Sequence, residues 1–142
     1  MDDDDHYGPN HLTDLHTAHT YSNADVTGKI AAITYLDEFG ITVNRDAKDS
    51  EAYHHHVSGA TITAPRQLMN EFRFLRKRGR VDTTLLERVV ECGLTIYMSH
   101  PYGFVVTRHN LGHTWQVAGY RRFIINSSEV DEGISRTFLG IG

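Results

Sequence analysis

The chain has 142 residues, 39% hydrophobic and 23% charged, the size and balance of a globular domain, which excludes a fully disordered chain, a collagen-like repeat or a disulfide scaffold. No run reaches the roughly 18 to 20 apolar residues of a membrane span, and the opening Met1, Asp2, Asp3, Asp4, Asp5 has neither part of a secretion signal, so no membrane role is expected. The net charge of −4 is uneven, because six of the 18 acids precede Lys29, the first base, and the remaining 12 face 14 bases.

Residues 1–24 are polar, acidic and histidine-bearing, with Leu12 and Leu15 as the only aliphatic anchors, and are expected to form a tail with at most one helical turn. Residues 25–142 are expected to form a single α+β domain. Val26, Ile30, Ile33, Leu36 and Phe39 recur at spacings of three and four before Gly40, which predicts a first amphipathic helix over 26–39. Ile41, Thr42 and Val43 read as a short strand, and 44–60 as irregular. Thr63, Ala64 and Pro65 start a second helix over 65–79, whose Leu68, Phe72 and Leu75 share a face. Asp82 or Thr83 caps a third helix, with Leu85, Leu86, Val89 and Val90 apolar, that stops at Cys92 and Gly93; Cys92 reads as a packed small residue. The period then switches to two: Leu94, Ile96 and Met98 alternate with polar neighbours, Ser99 to Gly103 turns, and Phe104 to Thr107 returns as a hairpin. Thr114 to Ile125 leans towards strand, 126–133 reads as a polar turn region, and 134–142 as a short strand or loose end. The expected architecture is a bundle of three helices followed by an antiparallel hairpin.

Between Arg66 and Arg80 stand six bases against Glu71 alone, a polyanion signal in a helix context. The run Thr63, Ala64, Pro65, Arg66, Gln67, Leu68, Met69, Asn70, Glu71, Phe72, Arg73, Phe74, Leu75, Arg76, Lys77, Arg78, Gly79 resembles helices of winged helix-turn-helix proteins of phages and mobile elements. The passage Val90, Glu91, Cys92, Gly93, Leu94, Thr95, Ile96, followed by Tyr102, Gly103, Phe104, is similar to their entry into the wing. The resemblance spans 63–108 and implies a DNA-binding regulator, of viral or phage origin. It implies phosphate contacts from Arg66, Arg73, Arg76, Lys77, Arg78 and Arg80, base readout by Thr83, Thr84 and Arg88, and Arg108 beyond the wing. Two features depart from the pattern: the 40–64 connection is long, and Glu87 and Glu91 would face phosphates. Neutralising about five phosphates gives a log–log salt slope of roughly −4 to −5. A lone cysteine fits a reducing, cytoplasmic setting.

Ten histidines raise a different chemistry. His54, His55 and His56 are consecutive, so an extended backbone places His54 and His56 on one face, where they are the candidate metal ligands together with Glu51 or Asp49. No His-Glu-x-x-His sequence or cysteine pair accompanies them, and no organic cofactor is implied. Two alternatives therefore stand beside DNA binding: a viral or filament assembly protein that self-associates, and a histidine-dependent enzyme, metal-assisted or with Tyr53 or Tyr102 nearby, on a phosphate-bearing or small-molecule substrate.

Overall fold

The computed structural model describes residues 4–45, 50–72, 81–108, 129–134 and 138–140. The chain divides into two compact units and passes between them several times: 12–30 and 49–100 belong to the first, 2–11, 31–48 and 101–142 to the second.

The first unit carries a three-stranded sheet in the order β2–β6–β5, from Val26–Gly28, Ile96–Met98 and Ala52–His54. β2 and β6 are parallel, with Val26 opposite Ile96 and Gly28 opposite Met98, whereas β5 runs antiparallel to β6. Asp25 sets the parallel register, because its Oδ2 accepts the Thr95 backbone N–H at 2.8 Å and the Thr95 hydroxyl at 3.1 Å. Helix α1 (His11–Ser22) presents Leu15 and Ala18, neither with any accessible surface. These positions one turn apart form its inward stripe. Helices α2 (Arg66–Glu71) and α3 (Val81–Glu91) follow. Leu86 and Val89 of α3 join Val26, Val57, Ile96 and Met98 in one buried cluster, and each such side chain contributes about 1.5–3 kcal/mol through burial.

The second unit holds a five-stranded sheet in the order β1–β7–β3–β4–β8, built from His6–Tyr7, Phe104–Arg108, Ile33–Leu36, Ile41–Asn44 and Glu129–Glu132. β3 and β7 are parallel and the other pairs antiparallel. β3 and β4 form a hairpin closed at Gly40, whose φ of +63° suits glycine. His11, 2% exposed, stacks edge-on against Tyr7 at 4.9 Å.

The chain is α+β with two sheets, and not the expected three-helix bundle followed by one hairpin. The segment 26–39 is not a helix but β2, β3 and the start of the hairpin turn. Its three- and four-residue spacings mislead because these strands are buried on both faces: Val26, Thr27 and Gly28 are all buried, as are Ile33, Thr34 and Leu36. Doubly buried strands show no alternation, and the β-branched residues together with Gly28 favour strand over helix. The winged-helix order over 63–108 fails at the wing, since β6 and β7 belong to different sheets and the Ser99–Gly103 link joins two sheets, not two arms of a hairpin. Residues 11–22 form a full helix where a polar tail with one turn was expected, and 129–132 form β8 where a polar turn was expected. β8 stands at the end of the strand order, paired antiparallel with β4. The second half of the expected helix 65–79 and the expected strand at 114–125 lie outside the described residues. No helix among the described residues is long and apolar enough to cross a membrane.

Candidate acid–base site

Lys29 and His100 leave the sheet of the first unit side by side. β2 ends at Gly28 and β6 at Met98, partners across the parallel pair, and the Ser99 N–H donates to the Gly28 carbonyl at 2.9 Å. The carboxyl ends of neighbouring parallel strands are where open α/β sheets place their ligands.

The Lys29 backbone is clamped before its side chain is considered. Its N–H donates to Thr61 Oγ1 at 2.8 Å, and its carbonyl accepts from the Ser58 N–H at 2.8 Å. Gly28 permits that clamp: a Cβ there would meet Val57 Cγ2 at 2.5 Å. From this position Lys29 Nζ donates to Asp14 Oδ2 at 3.2 Å, and His100 Nε2 stands 3.3 Å from the same oxygen. Asp14 arrives there because α1 packs through the adjacent Leu15. The side chains are graded in exposure, with Lys29 at 0%, Asp14 at 25% and His100 at 34%. Lys29 is closed to any ligand, whereas His100 is open to one.

Burial pushes the Lys29 ammonium below its ordinary 10.5, opposed by the hydrogen bond and charge of Asp14 and by the charge of Glu51. An ammonium without accessible surface is seldom kept for stability alone, since desolvation of an ion pair consumes most of what the pairing returns.

Glu51 extends the site. Its Oε2 accepts the Tyr21 hydroxyl at 2.6 Å and the Tyr97 hydroxyl at 2.8 Å. Burial raises the Glu51 carboxyl, but the two tyrosine hydrogen bonds, the His100 imidazole and the His100 backbone amide outweigh it and hold the group below the ordinary carboxylate value. The Tyr21 hydroxyl is driven the other way, first by burial and then by hydrogen bonding to Glu51 and Tyr97. The Tyr97 hydroxyl also rises, through burial and the Glu51 charge. The outcome is an ionised acid held by neutral donors. Glu51 itself sits at φ +57°, a left-handed conformation that costs a non-glycine residue about 1–2 kcal/mol. Such strain concentrates at functional positions.

Ser99 is buried, and its Oγ has no hydrogen-bond partner, so it forms no nucleophile–base link with His100. An open pocket of about 310 Å³ lies against the start of β6, not its end, lined by Tyr53, His54, His55 and Thr95 over the apolar Val90, Leu94 and Ile96. Asp14, Lys29 and His100 do not line it. Pocket and ionisable cluster thus lie at opposite ends of β6.

The residues singled out from sequence are scattered. Arg66, in the first turn of α2, and Arg88, in the last turn of α3, are exposed; Thr84 is half-buried. Thr83 lies on α3. Arg108 is exposed at the end of β7, in the second unit. Arg73, Arg76, Lys77, Arg78 and Arg80 lie outside the described residues, as does Asp49. His54 is half-buried and lines the pocket with His55, and His56 is exposed. Glu51, the carboxylate paired with them in the metal reading, is committed to the tyrosines. No group of three or more His, Cys, Asp or Glu side chains among the described residues is arranged to hold a metal ion. Cys92 is exposed, not packed.

Comparison with protein-family models, with characterised proteins and with solved structures finds no match.

Asp14, Lys29 and His100 escaped the sequence reading. One signal was available: Lys29 is the sole base in the first 44 residues and is flanked by Gly28 and Ile30 in an otherwise apolar stretch, which is an unusual place for a solvated lysine. Nothing local links it to Asp14 or His100, because the pairing is made by α1 and by β6, 15 residues before and 71 after.

Proposed function

We propose that the first unit is an enzyme whose acid–base centre is His100, oriented by Asp14 and backed by the buried Lys29, working on a small neutral or cationic molecule. The observation that carries this reading is Lys29 itself: a lysine with no accessible side-chain surface, paired to an aspartate that also faces a half-exposed histidine, at the ends of two parallel strands. A cleft residue whose protonation is perturbed by burial and by a specific charge partner is a common physical setting of proton-transfer catalysis. In this arrangement His100 exchanges the proton with substrate. Asp14 fixes the imidazole, and Lys29, out of reach, is a positioning residue that tempers the Asp14 charge. Even with His100 protonated, Lys29 and His100 only balance Asp14 and Glu51, so the site does not attract a polyanion.

A panel of neutral and cationic chromogenic esters, amides and glycosides tests the reading. General acid–base catalysis contributes about 10²- to 10⁴-fold, so turnover on one class should fall by that range in His100→Gln and in Asp14→Asn, and remain in His16→Gln on the exposed side of α1. Turnover that survives His100→Gln contradicts the assignment.

A second reading, binding of duplex DNA, is favoured by the exposure of Arg66 and Arg88 on successive helices. On that reading Arg66→Ala and Arg88→Ala each flatten the log–log salt dependence of binding by about one unit; an unchanged slope removes it.

A further inference from the structure

We propose that Tyr21, Tyr53 and Tyr97, with the Glu51 carboxylate, form a docking site for an organic cation, an alkylated ammonium group. The three rings come from α1, β5 and β6 of the first unit. Tyr97 is the shared wall: Tyr21 stands 5.5 Å from it with the ring planes at 89°, and Tyr53 stands 5.6 Å from it at 83°. Tyr97 is nearly buried at 8%, whereas Tyr21 and Tyr53 are 55% and 58% exposed. Two large exposed rings thus each stand at near-right angles to a nearly buried third.

These rings are held in place. The Tyr21 and Tyr97 hydroxyls both donate to Glu51 Oε2, and the Tyr53 hydroxyl donates to the Ser22 carbonyl. Each phenol therefore spends its polar end on the protein, and the aromatic faces are what remains to meet a ligand. Exposed aromatic faces beside an ionised carboxylate attract cations through the ring quadrupole and through direct charge, the chemistry by which quaternary ammonium groups are recognised. An ordinary metal ion or ammonium would keep its water shell, whereas an alkylated ammonium brings apolar methyl groups suited to ring faces. The rings are set by hydrogen bonds before any ligand arrives, so little ordering entropy opposes binding.

This site deepens the acid–base reading by naming the class of substrate group that would be held near His100, whose backbone amide bonds Glu51, and it rests on that reading only for the catalytic use of the ligand. Its test is binding and not turnover, so the two stand or fall separately. Choline and its neutral isostere 3,3-dimethylbutan-1-ol are titrated into the full chain while the tyrosine ring signals are followed by ¹H–¹³C NMR. The expected result is saturable shifts of the Tyr21, Tyr53 and Tyr97 rings with choline, at least about tenfold tighter than with the isostere. Glu51→Gln and Tyr53→Ala should each weaken choline about tenfold, and Tyr53→Phe, which keeps the ring, should stay within about threefold. Equal affinity for the neutral isostere, full choline affinity in Glu51→Gln, or absence of saturable ring shifts up to roughly 100 mM choline would overturn the proposal.

Discussion

At the scale of single residues, the ionisable groups of the first unit make opposite demands on pH. Lys29 has a folded pKa below 10.5, so between that lowered value and 10.5 the unfolded chain holds a proton the folded chain has released, and stability rises with pH across the window. Tyr21 and Tyr97 have folded values above 10.0. Above pH 10 the unfolded chain loses protons the folded chain keeps, and stability falls. Glu51, held low, contributes stability that is present above its unfolded value of 4.5 and disappears as pH falls through its folded value. Urea unfolding at a series of pH values should therefore show an alkaline loss that Tyr21→Phe and Tyr97→Phe flatten; an identical slope in both variants contradicts the assignment. The ion pair makes a second demand. Removing Asp14 alone strands the Lys29 charge and should cost about 3–5 kcal/mol, whereas Asp14→Leu with Lys29→Met should be neutral or stabilising by about 1–4 kcal/mol. A double variant less stable than Asp14→Leu would make the pair a structural element and not a functional one.

At the scale of elements, the site is produced by the register of β2 against β6 and by the close approach of the 57–61 segment to Gly28. Gly28→Ala would drive a methyl group into Val57, which is fully buried, and overpacking of this kind costs about 1–3 kcal/mol. The clamp on Lys29 runs through the same segment, so turnover should fall more steeply in Gly28→Ala than its modest loss in the urea midpoint explains. An active, equally stable Gly28→Ala chain would show that the clamp is dispensable. These elements also mark how far the sequence could be read. The helix at 81–91, the strand at 41–44 and the extended segments at 96–98 and 104–108 carry local signals, an apolar face with a closing glycine in the helix and β-branched or alternating residues in the strands, and local physics suffices for them. The strands at 26–28 and 33–36 do not, because burial on both faces erases alternation and leaves helix-like spacings. The helix at 11–22 is illegible for the complementary reason: Leu15 and Ala18 are too few to announce a face in a sequence otherwise dominated by threonine and histidine, with Leu12 exposed.

At the scale of the whole molecule, the chain interleaves two units, and residues distant in sequence meet within each. Asp14, Lys29, Glu51 and His100 span 87 positions yet belong to one unit, so no motif of fixed spacing exists for sequence analysis to find. The charge asymmetry that is legible in the sequence, the basic run from Arg66 to Arg80, lies largely outside the described residues. The ionisable cluster that the fold assembles consists instead of a lysine, a histidine and two acids that carry no weight in composition. Lys29 is held in the protein interior, paired to the Asp14 oxygen that His100 also approaches. The chain has three lysines, Lys29, Lys48 and Lys77, so their side-chain Cε and Nζ signals can be assigned and titrated one by one. The measurement is that NMR titration: Lys29 should deprotonate below 10.5, and lower still in Asp14→Asn. Lys29 titrating at or above 10.5, unmoved by loss of Asp14, would contradict the burial, the pairing and the site built on them.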